Sequence, residues 1–163
     1  MPHYIRKIDK AKWAKTDART SDVAADAITN CLHTRSNQLS FWKVEPFNDN
    51  NLKEVLKAII STFTSGIDTF DVVFFDENEM PDDIKSIQSK AVTPYTAMID
   101  NHYDLVDLTI SKLTSLSGVI YSKIKIGAEK RITRTEAKNL MREVIAADPT
   151  FRGKLHSTIA DSL

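Results

Sequence analysis

Asp71 and Asp76 bracket the apolar run Val72-Val73-Phe74-Phe75, and Glu77, Glu79, Asp82 and Asp83 follow at once. Carboxylates clustered beyond the end of a strand in a parallel αβ sheet are where a hard divalent cation is commonly held. On that reading Asp76, Glu77 and Glu79 bind Mg²⁺ and orient a phosphoryl or phosphodiester group, and the chain is a small metal-dependent hydrolase or nuclease centred on Asp76. No glycine-rich phosphate loop, nucleophile motif or partner histidine accompanies these acids. An exposed acidic loop that keeps a very apolar strand soluble is the simpler account and carries more weight.

Histidine and cysteine add no chemistry. His3, His33, His102 and His156 stand apart, without the short paired spacings of zinc sites. Cys31 is the single cysteine and falls on the apolar face of its expected helix, so it reads as a buried, inert thiol. No pattern calls for a cofactor. One cysteine cannot form an internal disulfide, and the basic start MPHYIRKIDKAKW lacks the apolar core of a secretory signal, which together indicate a reducing, cytoplasmic setting. No apolar run approaches the roughly 20 residues needed to cross a bilayer, so no membrane contact is expected.

The second constellation is cationic. Lys130, Arg134, Lys138 and Arg142 recur every four residues, and Lys123, Lys125 and Arg131 lie close by in sequence. A nucleic-acid backbone would suit such a stripe, with salt-dependent affinity. An ordinary solvated helix face is again the simpler account, because Lys plus Arg and Asp plus Glu balance at 22 each and no nucleic-acid motif appears. The balance is uneven along the chain, however. Residues 1–20 hold six cations and two anions, residues 68–83 hold seven anions and no Lys or Arg, and residues 112–142 hold eight cations and two anions. The basic stretches could therefore dock on the acidic one, within a chain or between chains.

The elements that would position these groups follow from periodicity. The 163 residues, 42% hydrophobic and 27% charged, suit one compact unit. Tyr4, Ile5 and Ile8 suggest a short strand or a solvated arm. Ser21 caps a helix carrying Val23, Ala24, Ala27, Ile28, Cys31 and Leu32. Leu39 to Val44 is a strand stopped by Pro46. Asn50 caps a helix with the stripe Leu52, Val55, Leu56, Ile59, Ile60 and Phe63, and Gly66 closes it. Phe70 to Phe75 is expected to be the central strand, covered on both faces. Residues 39–75 thus predict a βαβ unit with two parallel strands.

Ile84 and Ile87 suggest a short helix. Pro94 opens a long one, in which Ile99, Tyr103, Val106, Ile110 and Leu113 alternate spacings of four and three, a seam suited to self-association. Residues 119–126 read as the end of that helix or as a strand, since Ile120, Ile124 and Ile126 share a strand face. Thr133 to Glu136 is a capping box ahead of Ala137, Leu140, Met141, Val144 and Ile145. Asp148-Pro149 opens a last short helix with Phe151, Leu155 and Ile159.

The expected fold is α+β: a small two- to three-stranded sheet with a βαβ unit in the N-terminal half, followed by a mostly helical C-terminal half. Its parts are an αβ region at 1–80, an acidic connector with a short helix at 81–93, and a helical region at 94–163. No set of nucleophile, base and oxyanion donor can be assembled, so the leading expectation is a non-catalytic binding or regulatory protein acting through protein contacts. Homodimer and monomer weigh about evenly. A nucleic-acid-binding accessory protein and the Mg-dependent hydrolase are the alternatives.

Overall fold

The computed structural model describes residues 1–13 and 23–163 of the chain. Its centre is one six-stranded sheet in the order β4-β5-β2-β1-β3-β6, with every pairing antiparallel. The strands are β1 (His3–Ile8), β2 (Leu39–Val44), β3 (Phe70–Asp76), β4 (Lys85–Gln88), β5 (His102–Val106) and β6 (Glu129–Ile132). The helices are α1 (Lys10–Trp13), α2 (Ala25–Cys31), α3 (Asp49–Ser61), α4 (Ile110–Lys125), α5 (Arg134–Ala147) and α6 (Ser157–Ala160). The expectation of a two- to three-stranded sheet and a mostly helical C-terminal half is therefore corrected. Strands from both sides of the 81–93 segment share the sheet, β5 pairing with β2 and β6 with β3.

The expected βαβ unit is corrected as well. The strand β2, helix α3 and strand β3 are all present, but β1 is inserted between the two strands and runs antiparallel to each. Thus β2 and β3 point the same way without sharing a hydrogen bond. The insertion satisfies both backbone edges of β1, from His3 opposite Val44 on one side to Ile8 opposite Asp71 on the other. A segment with the charge pattern of a solvated arm is thereby an interior strand.

Side chains alternate across the sheet and form a core on each face. On one face Ile5, Trp42, Val44, Phe70, Val72 and Ile132 pack against Leu52, Val55, Leu56 and Ile59 of α3 and Ala137, Leu140, Met141 and Val144 of α5. On the other, Tyr4, Ile8, Phe41, Val73, Phe75 and Leu105 pack against Trp13 of α1, Ala27 and Cys31 of α2, and Leu116 and Ile120 of α4. The result is a helix–sheet–helix sandwich. Phe70 to Phe75 is covered on both faces as its composition predicts, although β1 and β2 occupy the two central positions.

Several local signals act where expected. Thr133 accepts from the Glu136 N–H while the Glu136 carboxylate accepts from the Thr133 N–H, closing the capping box of α5. Gly66 takes the left-handed φ of 103° in the turn between α3 and β3. Phe151, Leu155 and Ile159 are all buried, on a 3₁₀ segment at Pro149–Lys154 and on α6. Others shift: α3 is capped by Asn48 rather than Asn50. α2 begins at Ala25, and its expected cap Ser21 lies outside the described residues.

The long helix expected from Pro94 is broken. A 3₁₀ segment at Thr96–Asn101 leads straight into β5, Asp107 adopts a left-handed φ of 54°, and Thr109 caps α4 by accepting from the Lys112 N–H. Tyr103 and Leu105 point to one face of the sheet and His102 and Asp104 to the other, so the four-and-three spacing conceals a period of two. Residues 119–125 are helical, as the end of α4. The segment at Ile87 is the edge strand β4 rather than a helix.

Candidate functional site

An open cleft of about 810 Å³ lies at the sheet end where β1 finishes and β2 and β3 begin. The strands bring Arg6, Lys7, Ser40, Trp42, Asp71 and His102 to it, and the turn after α3 adds Phe63, Thr64 and Ser65. Ala91 and Val92 also line it. Hydroxyls, amides and charges dominate the lining, with three aromatic rings among them. Such a surface suits a ligand that offers many hydrogen-bonding groups along its length.

The two cations of the cleft are both committed to neighbours within the chain. Arg6 Nε donates to the Cys31 carbonyl at 2.8 Å, one terminal nitrogen donates to the Ser40 carbonyl, and the guanidinium lies 5.3 Å from the centre of the Phe41 ring. Desolvation pushes its pKa down to about 10, against an opposing pull from the Cys31 thiol, and it stays a cation at neutral pH. Lys7 sets its amine 4.2 Å from the Phe63 ring centre and 5.8 Å from that of Phe70, and the residue is exposed. Desolvation likewise lowers its pKa, with Asp9 and Cys31 opposing.

The acids of the cleft are less well served. Asp9 accepts from the Ala11 N–H at 3.2 Å, and Asp68 accepts from the Thr69 N–H at 2.7 Å. Asp71 is only 7% exposed, and its Oδ1 has no hydrogen-bond partner among the described residues. His102 also lines the cleft. Its Nδ1 lies 2.7 Å from Ser89 Oγ, and its ring meets Trp42 edge to face at 5.2 Å. Burial lowers the His102 pKa first of all, Asp104 opposes, and Arg6 adds to the lowering.

The residues singled out from sequence are placed elsewhere. Asp76 caps the 3₁₀ turn Glu77–Glu79, Glu77 pairs with Lys43, and Glu79 pairs with Lys123 of α4. Among the described residues no three His, Cys, Asp or Glu side chains are grouped to hold a metal ion. Arg134, Lys138 and Arg142 share one face of α5 at four-residue spacing, while the other basic residues lie on α4 and β6. Lys125 lies over the Tyr121 ring, Lys130 and Arg131 point to opposite faces of β6, and Arg134 opens α5 at the surface. Lys138 and Arg142 donate to the Ser162 and Leu163 carbonyls. Of the proposed self-association seam, Ile99 is in a 3₁₀ segment, Tyr103 and Val106 are in β5, and Ile110 and Leu113 are in α4, so no single helix carries them.

Arg6, Lys7, Ser40 and His102 were not legible as a site, because they are brought together by pairing among β1, β2 and β5 rather than by spacing. Asp71 does stand out in the sequence, though as one bracket of an acidic end. It lies five positions from Asp76, so the two face opposite sides of the sheet. Among the described residues no helix is long and apolar enough to cross a membrane. No protein-family model, curated protein or solved structure matches the chain.

Proposed function

We propose that this is a non-catalytic binding protein that receives an extended segment of a partner protein in the cleft beside α3. The observation that carries the reading is the cleft itself: about 810 Å³, open, and lined by hydroxyls, Asn30, charged groups and the half-buried ring of Phe63. A polypeptide in extended form offers backbone donors and acceptors to such a lining and side chains to its rings. Val92 strengthens the reading. It is 98% exposed, yet it is flanked by buried Ala91 and by Thr93, whose hydroxyl donates to the Ala58 carbonyl at 3.1 Å. An apolar side chain held outward beside a polar cleft suits contact with a partner.

Selection of binders from a random peptide library, followed by mapping of amide chemical shifts, tests the proposal. Bound peptides should shift Ser40, Thr64 and His102, and Ser65→Trp should block binding while Thr114→Trp, on exposed α4 surface, leaves it intact. Binders that leave the cleft amides unmoved, or a selection that yields none, would refute it. A second copy of the chain is one partner to test, and light scattering across a concentration series reads it directly.

A further inference from the structure

We infer that the segment received in the cleft presents a basic residue, a lysine or arginine, whose cation is met by Asp71. The inference rests on the binding role proposed above. Asp71 is more than nine-tenths buried and lines the cleft, and its Oδ1 is without a hydrogen-bond partner among the described residues. A buried carboxylate left so is unfavourable until a donor or a cation reaches it. The described residues do not supply one. Arg131 stands directly across from Asp71 in the β3–β6 pairing, but it is solvent-exposed and no bond joins the two.

The other cations of the cleft are engaged by neighbours within the chain. Arg6 serves two carbonyls and the Phe41 ring, and Lys7 sits against Phe63 and Phe70. The remaining charge is acidic: Asp68 accepts a backbone N–H only, and Asp9 accepts one while also attracting the Lys7 amine, with no ion pair formed by either among the described residues. An acidic ligand would bring like charge towards three carboxylates, whereas a basic one is attracted by all three. Glu129 is the contrasting case. It also carries a buried oxygen without a partner, but its other oxygen already pairs with Lys10, so its charge is compensated within the chain.

The experiment uses the peptides selected against the intact protein. Cleft-binding peptides should share a lysine or arginine, and replacing it by its neutral counterpart, norleucine or citrulline, should weaken binding about tenfold or more. Asp71→Asn in the protein should produce a loss of similar size. The peptide-side replacement leaves the protein untouched and so decides the matter even where Asp71→Asn disturbs folding. Cleft binders without a basic residue, or basic binders indifferent to its neutralisation, would overturn this inference while leaving the binding role intact. A selection with no cleft binder at all would overturn both.

Discussion

Tyr4 Oη and Ser86 Oγ lie 2.7 Å apart, a hydrogen bond that joins the interior strand β1 to the edge strand β4 across the two strands between them. Tyr4 is 1% exposed and its ring stacks near Phe75 and meets Phe41 and Tyr103 edge to face. The hydroxyl is thus the polar end of an otherwise apolar cluster, and Ser86 keeps it satisfied. Tyr4→Phe and Ser86→Ala should each cost about 1 kcal/mol in urea unfolding. The double variant should cost less than the sum of the two, since either change already removes the bond. Fully additive losses would show that the pair is not coupled.

His102 predicts a pH dependence near neutrality. Its folded-state pKa lies below the ordinary 6.5, chiefly through burial, so the unfolded chain takes up this proton first as pH falls. The stability contribution is complete above about pH 6.5, declines as pH drops below that value, and levels off below the folded pKa. His102→Gln should remove this component. Parallel stability curves for the two proteins between pH 8 and pH 5 would rule His102 out as the responsible group.

The capping box of α5 predicts a second, smaller pH effect. Hydrogen bonds from the Thr133 side chain and backbone hold the Glu136 carboxyl below its ordinary 4.5. A lowered carboxyl pKa contributes stability above about pH 4.5 that is lost as pH falls through the folded value. Glu136 is exposed, so solvent screens the effect and its size is modest. Thr133→Ala should cost about 1 kcal/mol at neutral pH, and Glu136→Gln should flatten the acid limb of the stability curve. Thermal unfolding at pH 3 to 7 measures both.

Lys123 and Glu79 form an ion pair that fastens α4 to the turn after β3, with the Lys123 side chain 16% exposed. Lys123→Glu should destabilise the fold by about 1–2 kcal/mol, since it loses the pair and sets like charges together. The exchange Lys123→Glu with Glu79→Lys should recover the charge part of that loss but not the bond that Glu79 accepts from the Asp76 N–H. Lys125→Glu, on the exposed side of the same turn, should change stability by no more than about 0.5 kcal/mol. Equal effects at 123 and 125 would mean that the pair is not formed in solution.

The contrast between α5 and β5 shows how far the residues alone carry the structure. The sequence by itself determined α3, α5, β2 and β3, because each has a full amphipathic stripe or a continuous apolar run, and in α5 a capping box as well, so local energetics and burial agree. Residues 102–106 carry an equally regular pattern, yet their spacing fits a helix seam and a strand alternation alike. Pairing of Leu105 with Leu39 and of His102 with Trp42, sixty residues or more away in the chain, decided between them. The same holds for β1: Arg6 and Lys7 suggest a solvated arm until β2 and β3 are both present to take its backbone groups. Only the tertiary structure decided the cleft, since Lys7, Ser40, Asp71 and His102 share no spacing and meet through strand order alone. The acids after β3 were visible from the start, but neutralisation of Glu77 and Glu79 by Lys43 and Lys123 depends on contacts across the fold, where charge is settled by proximity rather than by composition.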